Sequence, residues 1–462
     1  MSRQQAMVPW AKNAAIYEVN LRQYTKQGDF KSFREHLPRL KSLGVQIIWF
    51  MPVQPIGVKN RKGYLGSYYS IKNYREINSE FGTFSEFQSL VEEIHDLGMY
   101  VIIDWVANHT AWDHHWVDEH PDFYRRNELN EVFPPVPEWE DVVGLNYDNP
   151  KMRQQMIDEM LFWVENAKID GFRCDMASLV PIDFWNDART ELNKHSNVFM
   201  LAESEDKELL DKAFDVIYNW KVYHKINDMA NFKCSVNDFA KTIKEEFYNF
   251  PENCSQLLFI SNHDENSWHG SELQRLGLFL ETMALLTFTL PGIPLIYSGM
   301  EAGNSKQLKF FSKDNIEWKD DKMFDFYKTL VNIRKNSNID FNSNDDGNFH
   351  IIENEFSDKI FCFTRYNNSE QYIVVVNLTN SKISCTLFDP AFYKKYTDVF
   401  TNNQFDLHGA LHLELEAYDY LFLKHENNQS NINKLLVKYE NKNIFNFSNT
   451  FISIKLIGFL SK

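Results

Sequence analysis

The chain has 462 residues, 44% of them hydrophobic and 15% aromatic, so it can bury a large core, and it exceeds the roughly 250 residues of one (β/α)8 barrel. The formal net charge of −16, without a basic stripe in the sequence, argues against nucleic acid or an anionic membrane surface as a partner. We expect a neutral substrate and a second, smaller domain.

Short apolar runs alternate with longer amphipathic stretches through the first three quarters of the chain, which is typical of βα units around a parallel sheet. Eight such runs predict closure into a (β/α)8 TIM barrel of the α/β class. The predicted strands are Ile16–Val19, Ile47–Phe50, Tyr100–Asp104, Gly171–Asp175, Phe199–Glu203, Val216–Tyr218, Leu257–Asn262 and Pro294–Ser298.

Two of the intervening helices can be read from the sequence. Thr83 and Glu86 form a capping box that begins an apolar stripe ending at Gly98. A second stripe runs from Met152 to Ala167 and indicates a helix face packed in the core. The apolar stretch 283–300 is interrupted by proline and glycine, so we expect a buried helix followed by a buried strand rather than a membrane span.

The pattern predicts four units. Residues 1–104 and 151–341 form the barrel, and residues 105–150, rich in Trp, His and Pro, form a short subdomain inserted after strand 3. Residues 342–425 carry β-rich runs between turn residues and predict a C-terminal β-sandwich. Residues 426–462 form a tail of unknown role, which the sequence allows to be an extra strand, a disordered segment or a segment without a selected role.

The five cysteines predict neither a disulfide framework nor a thiolate zinc site, because their number is odd, they are scattered along the chain, and none forms a Cys-x-x-Cys pair. The first seven residues lack the continuous apolar segment of a secretory signal. We therefore expect a reduced, cytoplasmic protein whose cysteines pack as small hydrophobic residues. They are Cys174, Cys234, Cys254, Cys362 and Cys385.

Three acids each end a short apolar run: Asp175, Glu203 and Asp264. The carboxyl ends of parallel barrel strands meet on one face, so these side chains should converge there. Two carboxyl groups facing each other across a sugar are the minimum for glycoside hydrolysis, and a third can stabilise the cationic transition state. The three acids therefore indicate a glycosidase.

Several motifs around these acids resemble the α-amylase family of glycoside hydrolases, family 13. Four occur in the family's order: Asp104-Trp105-Val106-Ala107-Asn108-His109, Gly171-Phe172-Arg173-Cys174-Asp175, Glu203, and Asn262-His263-Asp264. Further matches lie at 63–69, 77–83 and 292–301. The resemblance spans roughly residues 14 to 340, with a compatible β-rich region behind it.

The resemblance implies that Asp175 is the nucleophile, Glu203 the general acid and base, and Asp264 the transition-state stabiliser. Arg173 lies two residues before Asp175, on the same face of a strand, and should hold that carboxylate ionised. The apolar residues before Glu203 and a nearby carboxylate should both raise the pKa of Glu203. A double displacement between close carboxyl groups would retain the α-anomer.

The resemblance also implies substrate-binding residues. His109 and His263 would hydrogen-bond the sugar, and Asp104 would orient Arg173. Tyr69 best matches the family's stacking tyrosine, although the adjacent Tyr68 leaves the register open. Four tryptophans either stack on sugar faces or hold the inserted subdomain together. They are Trp112, Trp116, Trp139 and Trp268.

Two departures from the family pattern bear on metal and substrate. Where many α-amylases place an aspartate calcium ligand, this chain has Gly144, and Asn108 alone does not supply the six to eight oxygens that calcium prefers. We expect no required cofactor and regard calcium as doubtful. Ser178 and Leu179 replace a frequent Lys-His pair, which removes polar contacts on the leaving-group side.

Our first hypothesis is a cytoplasmic retaining hydrolase of α-1,4-linked maltooligosaccharides. The same scaffold also suits a cyclomaltodextrinase, an α-glucosidase or a transglycosylase, since sugar can replace water in capturing the covalent intermediate. A non-catalytic carbohydrate-binding relative is disfavoured, because binding alone does not require all three acids. The sequence leaves open the preferred chain length, endo or exo action, and the oligomeric state.

Overall fold

A computed structural model describes residues 7–248, 250–319, 321–342 and 348–426. The first ten strands are β1 Ile16–Val19, β2 Ile47–Phe50, β3 Tyr100–Trp105, β4 His109–Ala111, β5 Val142–Gly144, β6 Gly171–Cys174, β7 Phe199–Ala202, β8 Val216–Tyr218, β9 Ser255–Leu258 and β10 Ile293–Tyr297. Eight of them close a parallel barrel in the order β1-β2-β3-β6-β7-β8-β9-β10. The predicted (β/α)8 barrel is confirmed.

The helices lie mainly outside the barrel. They are α1 Leu21–Tyr24, α2 Phe30–Arg34, α3 Leu37–Leu43, α4 Phe84–Asp96, α5 Trp116–Glu119, α6 Pro150–Phe162, α7 Ile182–Leu192, α8 Trp220–Ala230, α9 Val236–Tyr248, α10 His263–His269, α11 Glu272–Leu276, α12 Leu280–Thr289 and α13 Lys322–Asn336. The capping box at Thr83 is present at the start of α4, and Met152, Met156 and Met160 of α6 are buried. Both sequence predictions are confirmed.

The segment inserted after β3 is held by a short antiparallel pair, β4 with β5, in which His109 faces Gly144. The apolar stretch near residue 290 forms the buried helix α12 followed by the buried strand β10, as predicted. Within the described residues, no helix is long and apolar enough to cross a membrane.

The seventh barrel strand differs from its prediction. The sequence places it at Leu257–Asn262, but β9 spans Ser255–Leu258. The apolar run continues past the strand into the turn that begins α10, where the Asn262 side chain accepts a hydrogen bond from the Glu265 backbone at 2.8 Å. Asp264 therefore lies in the first turn of a helix, whereas Asp175 and Glu203 directly follow β6 and β7.

The C-terminal region forms two antiparallel sheets. Its strands are β11 Phe349–Ile351, β12 Ile360–Tyr366, β13 Glu370–Asn377, β14 Ile383–Phe388, β15 Lys395–Asp398, β16 Gln404–Asp406, β17 Ala410–Leu415 and β18 Tyr420–Glu426. Six strands form one sheet, and β14 pairs with β17 in the other. Alternate residues of both sheets share one apolar core, so the predicted sandwich is confirmed.

The five cysteines are all free thiols in the structure, and all but Cys234 are buried. This agrees with their interpretation as small hydrophobic residues. The predicted tail, residues 426–462, lies outside the described residues apart from Glu426 at the end of β18.

Candidate active site

The period-two alternation of the barrel strands builds the floor of the site. Apolar side chains such as Ile16, Ile102 and Val216 fill the barrel interior. In β1, β3, β6 and β8, the inward position nearer the carboxyl end is polar instead. These inward polar residues are Glu18, Asp104, Arg173 and Tyr218, each at most 1% exposed.

Arg173 is the centre of this buried layer. Its Nη1 donates to Asp104 Oδ1 at 2.8 Å and to Asp175 Oδ1 at 3.3 Å. Its Nη2 lies 2.7 Å from Glu203 Oε2 in an ion pair, and its Nε donates to Tyr218 at 3.2 Å. One guanidinium thus fixes the carboxyl groups expected to act as nucleophile and as general acid.

His263 organises the other side of the floor. Its Nδ1 lies 2.5 Å from Glu18 Oε1. Its Nε2 lies 2.6 Å from the Tyr69 hydroxyl and 3.3 Å from Asp264 Oδ2. The Tyr69 hydroxyl also donates to Asp104 Oδ2 at 3.0 Å, which links the two halves of the network.

A cavity of about 340 Å³ lies above this floor, at the carboxyl ends of the barrel strands. Its walls combine acids, aromatic rings and one lysine, a composition typical of sites for polar small molecules. The lining residues are Lys62, Ser67, Tyr69, His109, Trp139, Asp141, Val142, Asp175, Met176, Glu203, Asp264, Trp268, Phe310 and Phe311. The three acids of the sequence motifs therefore share one cavity.

The eight predicted site residues fall into two layers. Asp175, Glu203, Asp264, Tyr69 and His109 line the cavity. The other three, Asp104, Arg173 and His263, are buried beneath it and are not among the lining residues. His263 was expected to hydrogen-bond the sugar, but both of its ring nitrogens already face protein partners.

The register at the tyrosine pair is settled by burial. Tyr69 lines the cavity and stacks on His263, with the ring centroids 5.5 Å apart. Tyr68 is buried and donates to Asn20 Oδ1 at 2.9 Å. Only Tyr69 can therefore present its ring to a ligand in this cavity.

The four candidate tryptophans also fall into two groups, those that line the cavity and those that do not. Trp139 and Trp268 line the cavity. Trp116 is buried among aromatic rings of the inserted segment, and the Trp112 indole donates to the Glu140 carbonyl at 2.8 Å. Two of the four candidates thus face the cavity, while the other two hold the inserted segment together.

The pKa shift expected for Asp175 is opposite to the one that its surroundings produce. Burial and the neighbouring Glu203 raise the pKa of Asp175 well above its ordinary value, and together they outweigh Arg173, which lowers it. The sequence motif contains the charge of Arg173 but does not reveal the desolvation that accompanies a fully buried site. Because two close carboxylates repel each other, the pair retains a proton to higher pH than an isolated carboxyl group would.

Asp264 and His263 form a charged pair instead. Burial opposes the ionisation of Asp264, but the charge of His263 and hydrogen bonds from His263 and Trp268 lower its pKa to about 2. Burial also opposes the protonation of His263, yet Asp264 and Glu18 raise its pKa well above the ordinary value. Burial lowers the pKa of His109 to about 4, although a hydrogen bond with the Tyr69 backbone opposes this shift, so His109 is neutral near pH 7.

Sequence reasoning missed several residues of the site. Glu18 and Tyr218 carry no motif of their own, although a polar residue at an inward position of an apolar strand is the signal that could have found them. Lys62, Phe310 and Phe311 lie on loops, where no periodicity indicates which side chains face the cavity.

The residues at the expected calcium position do not fit that ion. Gly144 offers no side-chain oxygen, and the Asn108 amide nitrogen lies 3.3 Å from His109 Nδ1. Among the described residues, no group of three or more His, Cys, Asp or Glu side chains could hold a metal ion. We therefore derive no catalytic step through calcium.

The chain matches two family profiles. "Alpha amylase, catalytic domain" covers residues 12–135 and 136–321, which is more than half of the chain. "Maltogenic Amylase, C-terminal domain" covers residues 349–422. The first match contains the whole cavity lining, and the second lies within the β-sandwich.

Individual relatives agree with the profiles. The α-amylase MalA of Haloarcula japonica is 28% identical over 390 residues, or 80% of this chain, which spans only 56% of that relative's length. The noncanonic maltogenic α-amylase AmyB of Thermotoga neapolitana has 29% identity and a TM-score of 0.83, covering 90% of this chain and 100% of its own. An α-amylase of Lactobacillus plantarum has 28% identity and a TM-score of 0.81, covering 90% and 99%. The chain belongs to the α-amylase family of glycoside hydrolases.

Proposed function

We propose that this chain hydrolyses α-1,4-glucosidic bonds of maltooligosaccharides with retention of the α-anomer. The observation that carries the proposal is the position of Arg173, whose two terminal nitrogens contact Asp175 and Glu203 below a cavity that also contains Asp264. Two carboxyl groups held by one guanidinium are close, as a double displacement requires.

In the first step Glu203 gives its proton to the glycosidic oxygen while the ionised Asp175 attacks the anomeric carbon. This breaks the glycosidic bond and forms a covalent glycosyl ester. In the second step Glu203 takes a proton from water, and the resulting hydroxide displaces Asp175. The Met176 backbone N–H donates to Glu203 Oε2 at 2.9 Å and positions that carboxyl group for both steps.

The remaining residues act either from the cavity wall or from the buried layer beneath it. We assign Tyr69 and His109 to direct sugar contacts, because both line the cavity. Asp264, ionised through most of the pH range, stabilises the positive charge that develops on the sugar ring. Asp104, Arg173 and His263 are positioning residues that hold these groups from below.

Short substrates inside the cell suit the chain best. The Thermotoga neapolitana relative is named as a maltogenic enzyme, and the sequence of the β-sandwich matches a maltogenic amylase profile. Five free thiols suit a reducing compartment, where disulfides are rare. We therefore propose maltotetraose to maltoheptaose in the cytoplasm as substrates; fractionation of the source cells would test the location.

Proton NMR of fresh digests tests the function. We expect the purified chain to release α-configured maltose or glucose from maltoheptaose, with a higher kcat/KM than on an equal mass of soluble starch. Release of the β-anomer would refute the double displacement, and faster attack on starch would refute the size preference. Digestion of β-cyclodextrin in the same assay would indicate a cyclomaltodextrinase. Transfer products longer than the substrate would indicate a transglycosylase.

Two substitutions connect that activity to the proposed residues. Asp175→Asn and Glu203→Gln should each reduce turnover of maltoheptaose by several orders of magnitude while the melting temperature changes little, because each removes a chemical role and barely alters volume. Asp183→Asn, at an exposed ion pair with Arg153, is the matched control. A variant of either acid with near-normal activity would show that its role is misassigned.

A further inference from the structure

Lys62 is the one lining residue with a positively charged side chain, among the described residues that form the cavity. It lies on the loop 57–66 between β2 and α4 and reaches across to the inserted segment. Its Nζ donates to the Glu138 carbonyl and lies 3.7 Å from Asp141 Oδ1. An ammonium group has three donors, so these two contacts leave one for a ligand.

The partner of this lysine is a nearly buried carboxylate. The Asp141 side chain is only 7% exposed, and its backbone carbonyl accepts a hydrogen bond from Ser70 Oγ at 3.0 Å. Asp141 also offsets the charge of Lys62. The ammonium group therefore suits a neutral hydroxyl group better than an anion, which the nearby carboxylate would repel.

Aromatic residues lie beside both chain segments that this lysine joins. Trp139 lies next to Glu138 and lines the cavity, with its ring 5.4 Å from that of His109. On the loop itself, Gly63 packs against Phe311, and the Leu65 backbone donates to the Phe311 carbonyl at 3.1 Å. A hydrogen-bond donor among aromatic faces is the composition that recognises a sugar ring.

We propose that Lys62 donates a hydrogen bond to a hydroxyl group of a glucosyl ring that lies beyond the immediate neighbours of the reacting ring, in a subsite bordered by Trp139 and Phe311. This inference rests on the proposed function and adds to it a determinant of chain length. Because the subsite adds binding energy only for substrates that reach it, Lys62 favours longer maltooligosaccharides over shorter ones.

Kinetics on two chain lengths test the proposal. In Lys62→Met, we expect kcat/KM to fall about tenfold on maltoheptaose and clearly less on maltotriose, because one charge-assisted hydrogen bond is lost. Lys59→Met is the matched control: it lies on the same loop, but its ammonium group is 5.4 Å from the centre of the Trp112 ring and it is not a lining residue. No loss, or an equal loss at both lengths, would overturn the proposal, since an equal loss indicates a merely structural bridge.

Binding without turnover separates this inference from the function. Calorimetry should show that maltoheptaose binds Glu203→Gln about tenfold more tightly than it binds the double variant Glu203→Gln/Lys62→Met. That difference would support the subsite even if the wild type hydrolysed nothing, in which case only the proposed function fails. Equal affinities, or no binding by either variant, would overturn the subsite, whatever the activity of the wild type.

Discussion

Arg173 shows how a single buried cation can set the chemistry of several acids. It contacts Asp104, Asp175 and Glu203, yet the pKa of Asp175 stays above its ordinary value because burial raises it more than the guanidinium lowers it. Asp264, whose side chain is 37% exposed and faces His263, has the opposite shift. Neighbouring acids on one cavity thus differ in the direction of their pKa shifts because their surroundings differ.

The raised pKa of Asp175 predicts a pH effect. Asp175 must be ionised to attack, so activity disappears as the pH falls through its pKa, and the acid limb of kcat/KM should lie above the ordinary carboxyl range. The productive form has Glu203 protonated, but ionised Glu203 competes with it by leaving the proton of the pair on Asp175 and so raises the pKa of Asp175; Glu203→Gln removes this competing charge. With α-maltosyl fluoride, whose leaving group needs no acid, the acid limb of that variant should move down by about one pH unit.

The pH profile of fluoride release checks this prediction. Glu191→Gln, at an exposed ion pair with Lys194, is the control and should leave the acid limb in place. If the limb of Glu203→Gln stayed where it is in the wild type, or moved to higher pH, the coupling between the two acids would be wrong.

Trp268 has a polar role as well as an aromatic one. Its indole nitrogen lies 3.3 Å from Asp264 Oδ1, one helical turn away on α10. Trp268→Phe keeps an aromatic face but loses this donor, so kcat/KM on maltoheptaose should fall about fivefold, which corresponds to one modest hydrogen bond. Trp112→Phe loses an indole donor outside the cavity and should have no such effect. If Trp268→Phe had wild-type kinetics, the hydrogen bond to Asp264 would not contribute to activity, and Trp268 would keep only a stacking role.

At the scale of the elements, the sequence predicts strands better than their ends. The eight barrel strands follow from apolar runs, because each run must be buried on both faces of a covered parallel sheet. The end of β9 could not be predicted, because apolar residues continue into the turn before Asn262 and hydrophobicity does not distinguish a strand from a buried turn. The contact between Glu18 and His263 could not be predicted either. It forms only in the closed barrel, because β1 and α10 are distant in the chain.

The close packing of β6 against β7 predicts a sensitive position. A Cβ atom at Gly171 would lie 2.0 Å from the Phe199 carbonyl oxygen, and the two residues are partners in the ladder. Gly171→Ala must therefore separate the strands that precede Asp175 and Glu203. We expect a loss of about 1–3 kcal/mol in the free energy of unfolding, which is the usual cost of overpacking.

Urea denaturation measures this effect, with Gly144→Ala as the control. A Cβ atom at Gly144 would lie 3.5 Å from Pro135, an ordinary contact, so that variant should stay within about 0.5 kcal/mol of the wild type. Equal stability of the two variants would mean that β6 and β7 can separate without cost.

Over the whole molecule, the lining of the cavity comes from different units. Asp175 and Glu203 directly follow the barrel strands β6 and β7, and Asp264 lies on α10, whereas the loop 57–66 and the inserted segment supply Lys62 and Trp139. All lining residues lie between positions 62 and 311. The β-sandwich packs elsewhere: the ring of Tyr418, which lies on the loop before β18, is 4.2 Å from the ring of Phe279, which directly precedes α12.

The junction between the barrel and the inserted segment is held by protein contacts. The Tyr147 hydroxyl donates to the Ala107 carbonyl at 2.7 Å, and the Leu145 backbone donates to the Asn108 carbonyl at 3.1 Å. On the barrel side, the Tyr74 hydroxyl donates to the Val106 carbonyl at 2.7 Å. Two of these bonds connect the start and the end of the inserted segment, and the Tyr74 bond ties it to the barrel, at the place where the family resemblance would put calcium.

We therefore predict that activity survives exhaustive chelation. Gly144 removes a carboxylate from the expected set, and calcium prefers six to eight oxygen ligands, so the residues that remain should not hold it tightly. After dialysis against EDTA, kcat/KM on maltoheptaose and the melting temperature should both stay unchanged. Magnesium and sodium added back serve as controls for ionic strength. If activity were lost and calcium restored it, while magnesium and sodium did not, other oxygen atoms of the protein would have to complete a calcium site at this junction.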